Sequence, residues 1–381
     1  MAYFDNNSTT RPLPEVLESF LGASRKSWGN PSSPHRLGSR VRALINRARE
    51  EIGQSLEVEP HQVTFTSGST ESNNAILSWI ANNQSRRTTN VLISTIEHPS
   101  ILETAQFYFS DSIRYIPVDS DGLLDIHAFQ KLLDQKLPSL VSLIAVHNET
   151  GVLQPWHQVA QICRDRGVWF HCDATQWVGK LDTDGLNACS SFSFSAHKFG
   201  GTKGVGAFVS NQPVSLIKGG GQEGETRGGT ENFPGIEAMR IALKYSCNAA
   251  SAQVEQETWK KSFEDSLLKE FNSLKVIGHP VPRMWNTSLL CLPEFDNLSW
   301  VSKLDKLGYT VSTGSACSTA REKPSGLSAA IGLSKSESRR LVRVSSFTET
   351  TEEDWLGLAN AFKDAFHELK LEQENSGVVV L

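Results

Sequence analysis

A lysine that follows an apolar run is the strongest chemical signal in this sequence. Lys198 comes after Ser195-Ala196-His197, which directly follow the strand-like run Ser190–Phe194. Ligands of open α/β sheets bind outside the carboxyl ends of the strands, and a lysine at such a place can form a Schiff base with a carbonyl compound. Because most lysines are simply exposed, Lys198 by itself would be interpreted as a surface residue of a loop.

Asp173 gives this lysine a chemical partner, because it ends the apolar run Val168–Cys172. A buried carboxylate is costly unless it is paired. The protonated pyridine nitrogen of pyridoxal phosphate (PLP) suits it, and the cationic ring can then store the charge of a carbanion at the substrate's Cα. Gln176 could reach the phenolic oxygen of the same cofactor. The alternatives are that Asp173 caps the next helix and that Gln176 is an ordinary polar loop residue.

A phosphate site is predicted where the strand-like run Val63–Thr66 gives way to the helical pattern Glu71–Asn82. Free N–H groups at a helix N-terminus, with the hydroxyl groups of Ser69 and Thr70 around them, can hold an anion. A serine or threonine capping box produces nearly the same string, so this segment is a weak signal on its own.

Three more residues suit an amino-acid substrate bound to such a cofactor. His98, in the pair Glu97-His98, could lie flat over the cofactor ring, although a histidine satisfied within a loop is the plainer interpretation. Arg343 alternates within a strand-like run and can clamp a carboxylate in bidentate fashion, and Asn148 could assist it. The alternatives are a structural salt bridge for Arg343 and a turn residue for Asn148.

One cysteine stands apart from the others. None of the six forms a C-x-x-C pair or has zinc-finger spacing with histidine, so no metal site is predicted. A disulfide framework is not expected in a large chain without a secretory signal. Cys317 lies among glycine, serine and threonine residues, which is the composition of a loop rather than a core. The six are Cys163, Cys172, Cys189, Cys247, Cys291 and Cys317.

The elements that position these residues alternate between strand and helix patterns. Continuous apolar runs indicate strands covered on both faces, and strand–helix alternation predicts an α/β fold with a mostly parallel central sheet flanked by helices. The predicted strands are Val63–Thr66, Val91–Ser94, Leu140–Val146, Val168–Cys172 and Ser190–Phe194, and the predicted helices are Leu37–Leu56, Glu71–Asn82, Ile101–Phe109, Val159–Arg166 and Gly235 to about Ala250.

A smaller α+β domain is predicted after about residue 250. Here the strands Met284–Leu292 and Thr310–Ser312 precede a helix, Glu352–Leu371. The strip before residue 12 is too short to stand alone and is expected to pack on this second domain. We therefore expect a large cofactor-binding domain over 12–248 and a small domain over 1–11 plus 249–381, with Cys317 on a loop of the latter.

Composition limits the function classes further. The chain has 381 residues, of which 39% are hydrophobic and 21% charged, as is ordinary for a soluble globular protein. A net charge of -5 gives no electrostatic reason to expect nucleic acid or an anionic membrane as a partner. No apolar run approaches the ~20 residues that span a bilayer, and the polar start lacks the character of a signal or transit peptide. A cytoplasmic location is the default expectation.

Taken together, these strings resemble the cysteine desulfurases, a branch of the class-V aminotransferase-like PLP enzymes. The resemblance runs over nearly the whole chain and implies the PLP-dependent transferase fold type I. The matching strings are Thr66–Ser72, Glu97-His98, His147–Gly151, Asp173–Gln176, Ser195–Lys198, Arg227–Asn232 and Gly314–Cys317.

The resemblance implies a role for each matching residue. Lys198 would hold PLP as a Schiff base, His98 would stack on the ring and move protons, and Cys317 would be the nucleophile. Thr230 would reach the phosphate of a partner subunit, which implies an obligate homodimer with a shared active site. The other implied contacts are Ser69, Thr70, Ser195 and His197 at the phosphate, Asp173 and Gln176 at the ring, and Asn148 and Arg343 at the substrate carboxylate.

The implied reaction removes sulfur from L-cysteine and leaves alanine together with a persulfide on Cys317. A mobile loop from Thr313 to about Pro324 would carry that sulfur to an acceptor protein. Iron–sulfur cluster assembly, nitrogenase maturation, tRNA thiolation and DNA phosphorothioation are all compatible acceptor pathways. The alternatives are a selenocysteine lyase, another class-V lyase or aminotransferase, or a non-catalytic sulfur-relay partner.

Overall fold

The computed structural model describes residues 1–83, 90–246, 250–314 and 326–376. Within these ranges the helices are α1 (Pro14–Lys26), α2 (Arg36–Ser55), α3 (Ser69–Asn83), α4 (Pro99–Phe109), α5 (Ile126–Gln135), α6 (Trp156–Asp165), α7 (Phe233–Ser246), α8 (Ala250–Glu270), α9 (Asn297–Lys306), α10 (Gly326–Ala330), α11 (Lys335–Ser338) and α12 (Glu352–Ser376). No helix in these ranges is long and apolar enough to cross a membrane.

The strands form one large sheet and two smaller ones. They are β1 (Ala2–Tyr3), β2 (Val63–Thr66), β3 (Val91–Ser94), β4 (Ile113–Ile116), β5 (Leu140–Ile144), β6 (Trp169–Asp173), β7 (Ser191–Ser195), β8 (Gly206–Ser210), β9 (Lys275–Val276), β10 (Thr287–Cys291), β11 (Tyr309–Thr310), β12 (Ser312–Thr313) and β13 (Leu341–Ser345). The large sheet has the order β2-β8-β7-β6-β5-β3-β4. Only β8 runs antiparallel to its neighbours in it, which confirms the predicted mostly parallel α/β fold.

The parallel strands of the large sheet are buried on both faces. Every residue of β3, β5 and β7 is buried, because helices cover the sheet on both sides. In β7, Ser191, Ser193 and Ser195 alternate with two phenylalanines, so the three serines share one face of the strand. Phe192 and Phe194 belong to the main hydrophobic core. The serine face therefore has to find polar partners, which come from α3 for Ser193 and Ser195 and from β6 for Ser191.

The smaller sheets are built from the C-terminal part of the chain. The order β12-β13-β10-β9 is antiparallel throughout, and β1 pairs in parallel with β11. Phe4 is fully buried in a separate hydrophobic cluster and stacks edge-on against Trp355 at 4.9 Å between ring centroids. The N-terminal strip thus packs where the sequence indicated. The predicted division near residue 248 falls among residues 247–249, outside the described ranges, and stays a prediction.

Candidate active site

The predicted site residues gather at the carboxyl edge of the parallel strands. β6 ends at Asp173, β7 ends at Ser195 shortly before Lys198, and His98 follows β3. In the sheet register Asp173 lies opposite both Ile144 of β5 and Ser193 of β7. Adjacent parallel strands therefore end side by side, as ligand sites in α/β sheets require.

Asp173 is buried and is held by neutral donors. Its Oδ2 accepts a hydrogen bond from Asn73 Nδ2 at 2.9 Å, and its Oδ1 accepts from the Thr175 backbone N–H at 3.1 Å and from the Thr175 hydroxyl. Thr175 lies in a turn, so the alternative of a helix cap is not what the structure shows. In the described ranges no lysine or arginine forms an ion pair with this carboxylate. Its negative charge is thus available to a cation such as a protonated pyridine nitrogen.

A cluster of hydroxyl groups lies at the N-terminus of α3. Ser69 N–H donates to Ser195 Oγ at 2.7 Å and Ser195 Oγ donates to Ser69 Oγ at 2.9 Å. Thr175 Oγ1, whose proton goes to Asp173, lies 2.6 Å from Ser69 Oγ and accepts from it. Gly68 makes this approach possible: its φ is +147°, and a Cβ there would lie 3.2 Å from Ser195 Oγ. Hydroxyls around a helix N-terminus suit a phosphate group. Thr175 lies in the matching string Asp173–Gln176, but no role was predicted for it from the sequence.

Two other predicted phosphate ligands lie at the rim of this cluster. Thr70 is exposed, and its carbonyl oxygen accepts from Asn74 Nδ2. His197 directs Nδ1 to Thr9 Oγ1 at 3.1 Å. Burial, followed by the positive charge of Lys198, lowers the pKa of His197 to about 4. A neutral His197 can therefore contribute a hydrogen bond, but no positive charge, to a bound phosphate.

Lys198 meets Gln176 at the N-terminal strip of the chain. Lys198 Nζ donates to the carbonyl oxygens of Asn7 at 2.7 Å and Ser8 at 2.8 Å. Gln176 Nε2 donates to the same Asn7 oxygen at 2.9 Å. The shared acceptor holds both predicted cofactor contacts at one place, although Lys198 and Gln176 come from different strand ends.

Lys180 is a site residue that sequence reasoning missed. It is fully buried, and its Nζ donates to Gln176 Oε1 at 2.6 Å and to Asn7 Oδ1 at 3.0 Å. Burial, then the charges of Lys198 and Arg343, lowers its pKa well below the usual value. Because an ammonium or amine at this place donates to Oε1, the Gln176 amide must point its Nε2 the other way. Its position four residues after Gln176 was the only sequence signal.

Arg343, which was predicted to bind the substrate carboxylate, already forms an ion pair with the protein. Arg343 Nη2 lies 2.5 Å from Asp5 Oδ1 and donates to Ser8 Oγ at 2.6 Å, while Nη1 donates to the Asn148 carbonyl at 3.2 Å. The structural salt bridge weighed from the sequence is therefore present. Arg343 Nε is buried and has no hydrogen-bond partner among the described residues. Nε–H and the second N–H of Nη1 are the donors left for a substrate carboxylate.

An acid, Glu97, and a base, His98, follow β3 next to each other in the chain. Burial lowers the pKa of His98, a shift that Asp173 opposes and Lys198 reinforces. Both charges therefore act on the His98 ring, and in opposite senses. Burial, followed by the charge of Asp173, raises the pKa of Glu97 well above its usual value. Its Oε1 accepts from Ser142 Oγ at 3.1 Å, and its Oε2 has no partner among the described residues. Burial therefore favours the protonated form of Glu97.

Cys317 lies outside the described residues, as does most of the predicted loop around it. The chain reaches this segment from β12, where Ser312 pairs with Arg343 in the antiparallel register. A Cβ on Gly314 would lie 3.4 Å from Glu149 Oε2, and a Cβ on Gly326 would lie 3.8 Å from the Thr95 carbonyl. Gly314 and Gly326, which flank the segment 315–325, therefore lie close to Glu149 and Thr95.

Glu149 gives a stability prediction that depends on pH. Burial raises the pKa of its carboxyl to about 8, against the opposing charge of Arg343. The folded protein thus keeps a proton that the unfolded chain loses near pH ~4.3, so this group lowers stability as pH rises from ~4.3 to 8. We expect Glu149→Gln to flatten that decline, measured as urea midpoints at pH 5, 6.5 and 8. Parallel curves for wild type and variant would contradict the expectation, with exposed Glu353→Gln as the control.

Thr230 lies on the surface of the single chain. It is exposed and lines a cavity of about 170 Å³ with Ser67 and Arg227. Next to this cavity Arg49 forms an ion pair with Glu223 at 2.7 Å, and Arg227 one with Glu71 at 2.9 Å. An exposed threonine in a glycine-rich segment can contact a second subunit, but it is not part of the cluster around Ser69 and Lys198.

The donor set fits PLP when it is taken as a whole. A hydroxyl cluster at a helix N-terminus suits the phosphate, an unpaired buried carboxylate suits the pyridine nitrogen, and an amide N–H suits the phenolic oxygen. An amine for the aldehyde lies beside that amide, since Lys198 and Gln176 share one acceptor. Among the described side chains, no group of three or more His, Cys, Asp or Glu could hold a metal ion.

Comparisons with known proteins agree with this assembly. The family model of the class-V aminotransferases matches residues 2–355. The cysteine desulfurase IscS of Clostridium botulinum is 32% identical and is aligned over 92% of this chain and 91% of its own length. The cysteine desulfurase NifS of Azotobacter vinelandii is also 32% identical, over 92% of this chain and 89% of its own.

Solved structures show the same likeness. A NifS-like protein superposes with a TM-score of 0.88 at 30% identity and covers 97% of this chain and 99% of its own. A structure of SspA in complex with cysteine superposes with a TM-score of 0.79 at 28% identity, over 92% of this chain and all of its own. The similarity of the fold therefore extends over nearly the whole chain.

Proposed function

The chain belongs to the class-V aminotransferase family and, within it, to the cysteine desulfurases, and from this premise we propose a role for each residue of the site. The enzyme is PLP-dependent and removes sulfur from L-cysteine to give L-alanine. The observation that best supports the assignment of roles is the shared Asn7 carbonyl, which holds Lys198 Nζ and Gln176 Nε2 together at the strand ends.

The cofactor, when bound, supplies a ring that withdraws electrons from the substrate's Cα. Lys198 holds it covalently, and Ser69, Thr70, Ser195 and His197 bind its phosphate. Asp173 keeps the ring nitrogen protonated by its charge, and Gln176 donates to the phenolic oxygen. His98 lies against the ring face.

The substrate is held by its carboxylate at Arg343 and Asn148. Arg343 is 3% exposed, so its charge acts in a poorly screened environment and favours a carboxylate over a neutral group. Binding by Nε leaves the Asp5 ion pair in place, because that pair uses Nη2. The same guanidinium can thus be anchored to the protein and bind substrate at once.

Lys198, released when the substrate amine takes its place, is the base that removes the Cα proton. The Cys317 thiolate attacks the substrate sulfur: a sulfur–sulfur bond forms while the bond from substrate Cβ to sulfur breaks, and the electron pair stays with the carbon skeleton. Protonation of that skeleton gives alanine and leaves a persulfide on Cys317. The reaction needs no external oxidant.

We infer that the enzyme is a homodimer with a shared active site. Exposed Thr230 supports this, because a second copy can place it at the neighbouring phosphate. The sulfur then passes to an acceptor protein in the cytoplasm, in iron–sulfur cluster assembly or tRNA thiolation. The names of the IscS and NifS relatives support transfer to such an acceptor.

The function is tested by the stoichiometry of the products. With L-cysteine and a thiol reductant, the purified enzyme should release sulfide and alanine in equal amounts, because each turnover moves one sulfur and leaves one three-carbon amino acid. Alanine is measured by chromatography and sulfide by a colorimetric assay in the same sample. Pyruvate and ammonia in place of alanine would indicate an eliminating lyase and would refute the proposal.

A further inference from the structure

A continuous chain of hydrogen bonds runs below the site and ends at the His98 ring. Its five successive contacts are 3.0, 2.9, 3.0, 2.8 and 2.8 Å between heavy atoms. Apart from Trp169, the groups before His98 are at least nine-tenths buried, so water does not compete for them. The members, in order, are Trp169 Nε1, Ser191 Oγ, His171 Nδ1 and Nε2, Asn73 Oδ1 and Nδ2, Ser100 Oγ, and His98 Nδ1.

The donor and acceptor of each hydrogen bond in this chain are fixed by groups that can act in only one of these roles. The Trp169 indole can only donate, so Ser191 Oγ accepts from it and gives its own proton to His171 Nδ1. His171 then carries its proton on Nε2 and donates to Asn73 Oδ1, which also accepts from Ser193 Oγ at 2.6 Å. Each step leaves one arrangement of the hydrogens.

Asp173 fixes the second half of the chain independently. An ionised carboxylate can only accept, so the Asn73 amide must present Nδ2 to it. The same Nδ2 group donates to Ser100 Oγ at 2.8 Å. The Ser100 hydroxyl accepts this bond and still has its own proton to donate to His98 Nδ1, which lies 2.8 Å away. The Ser100 backbone N–H donates to that same nitrogen at 3.1 Å.

We propose that Ser100 is a positioning residue that holds neutral His98 in the tautomer with its proton on Nε2. Two donors converge on Nδ1, so a proton there would face both of them. His98 then presents Nε2–H outward and acts as a hydrogen-bond donor and not as a proton acceptor. This inference rests on the proposed place of His98 over the ring, and it assigns proton removal at Cα to Lys198 alone.

The charges around His98 do not alter this assignment. Asp173 and Glu103 favour the protonated ring, and Lys198 disfavours it, but burial is the largest influence and lowers the pKa. His98 is therefore neutral near pH 7, where the choice of tautomer decides what the ring can do. The Ser100 hydroxyl acts in the same sense as burial, because it donates to the neutral form.

The tautomer is measured directly by nitrogen NMR of the full-length protein labelled with ¹⁵N-histidine. The His98 signals are assigned by their loss in His98→Gln, and spectra are recorded with PLP bound and after its removal. In wild type we expect a protonated Nε2 and an unprotonated Nδ1 in both samples. A protonated Nδ1 would overturn the proposal without any variant being made.

The contribution of the hydroxyl is measured with Ser100→Ala and Ser100→Thr. In Ser100→Ala the pKa of His98 should rise by about one unit, because the neutral form loses one hydrogen bond. The ¹⁵N chemical shift of Nδ1 should move towards the value of a protonated nitrogen. Threonine should restore both values. Ser24→Ala is the matched control, since Ser24 Oγ bonds within its own helix to Phe20 O. An unchanged His98 in Ser100→Ala would refute a role for the hydroxyl.

These measurements separate the inference from the proposed function. An enzyme that makes equal sulfide and alanine but has Nδ1 protonated retains the function and loses the inference. A protein with the expected tautomer and no desulfurase activity retains the inference and loses the proposed function.

Discussion

Lys198→Ala is expected to lower the rate of sulfide release by roughly 10²–10⁴-fold or more. Lys198 both holds the cofactor and takes the Cα proton, so its removal deletes a covalent anchor and a base at once. Its Nζ is fixed by two backbone oxygens at 2.7 and 2.8 Å, a geometry that an alanine cannot supply. The rate is measured with saturating cysteine and added PLP, so that weaker cofactor binding does not hide the chemical defect.

The attachment itself is a second readout for the same variant. Borohydride reduction of wild type should fix the cofactor on the peptide that contains Lys198, as found by mass spectrometry, and should fix none in Lys198→Ala. Lys203→Ala is the matched control, because Lys203 is exposed and close in sequence. Attachment to buried Lys180 in wild type would contradict the assignment, since Lys180 is the amine that donates to Gln176 Oε1.

The main sheet was predictable because its strands depend on local composition. Val63–Thr66 and Val91–Ser94 have the predicted bounds, since short apolar runs are buried on both faces of a parallel sheet. β8 (Gly206–Ser210) and β4 (Ile113–Ile116) were not predicted. β4 is an edge strand with a largely half-buried pattern, IRYI, and β8 lies among glycines. Their pairing depends on neighbours that the sequence does not reveal.

Helix ends were less predictable, for related reasons. The helix expected from Gly235 to about Ala250 ends at Ser246, and a new helix, α8, starts at Ala250. The strand expected from Met284 begins at Thr287. The Met284 N–H donates to the Gly151 carbonyl at 2.7 Å and not to a strand neighbour. The start of this strand is therefore set by tertiary contacts, whereas strand propensity alone would extend it to Met284.

The residues of the candidate site also divide into those that were predicted from the sequence and those that were missed. Lys198, Asp173 and His98 were found because each is a chemically capable residue at a predicted strand end. Asn73, Ser100 and Lys180 were missed because their roles depend on partners distant in sequence. The alternation of Ser191, Ser193 and Ser195 against phenylalanines was a usable signal, since three serines on one face of a buried strand require polar partners.

Cys317→Ala is expected to stop sulfur transfer and yet leave a cofactor-loaded, folded protein. None of the hydrogen bonds around Lys198, Asp173 and Arg343 described above involves this residue, so PLP and cysteine should still bind. Without the thiol no acceptor takes the substrate sulfur, and both sulfide and alanine should fall by roughly 10²-fold or more. The absorption spectrum of the bound cofactor should still change when cysteine is added, because substrate binding and Cα proton removal do not need the thiol.

The control for this variant is another cysteine with a different environment. Burial raises the pKa of the Cys291 thiol, so it is a poor nucleophile, and Cys291→Ser should keep most of the activity. Iodoacetamide should label Cys317 faster than Cys291, and pre-incubation with cysteine should leave a persulfide on Cys317 that mass spectrometry detects. Undiminished alanine from Cys317→Ala would contradict attack by this thiol on the substrate sulfur.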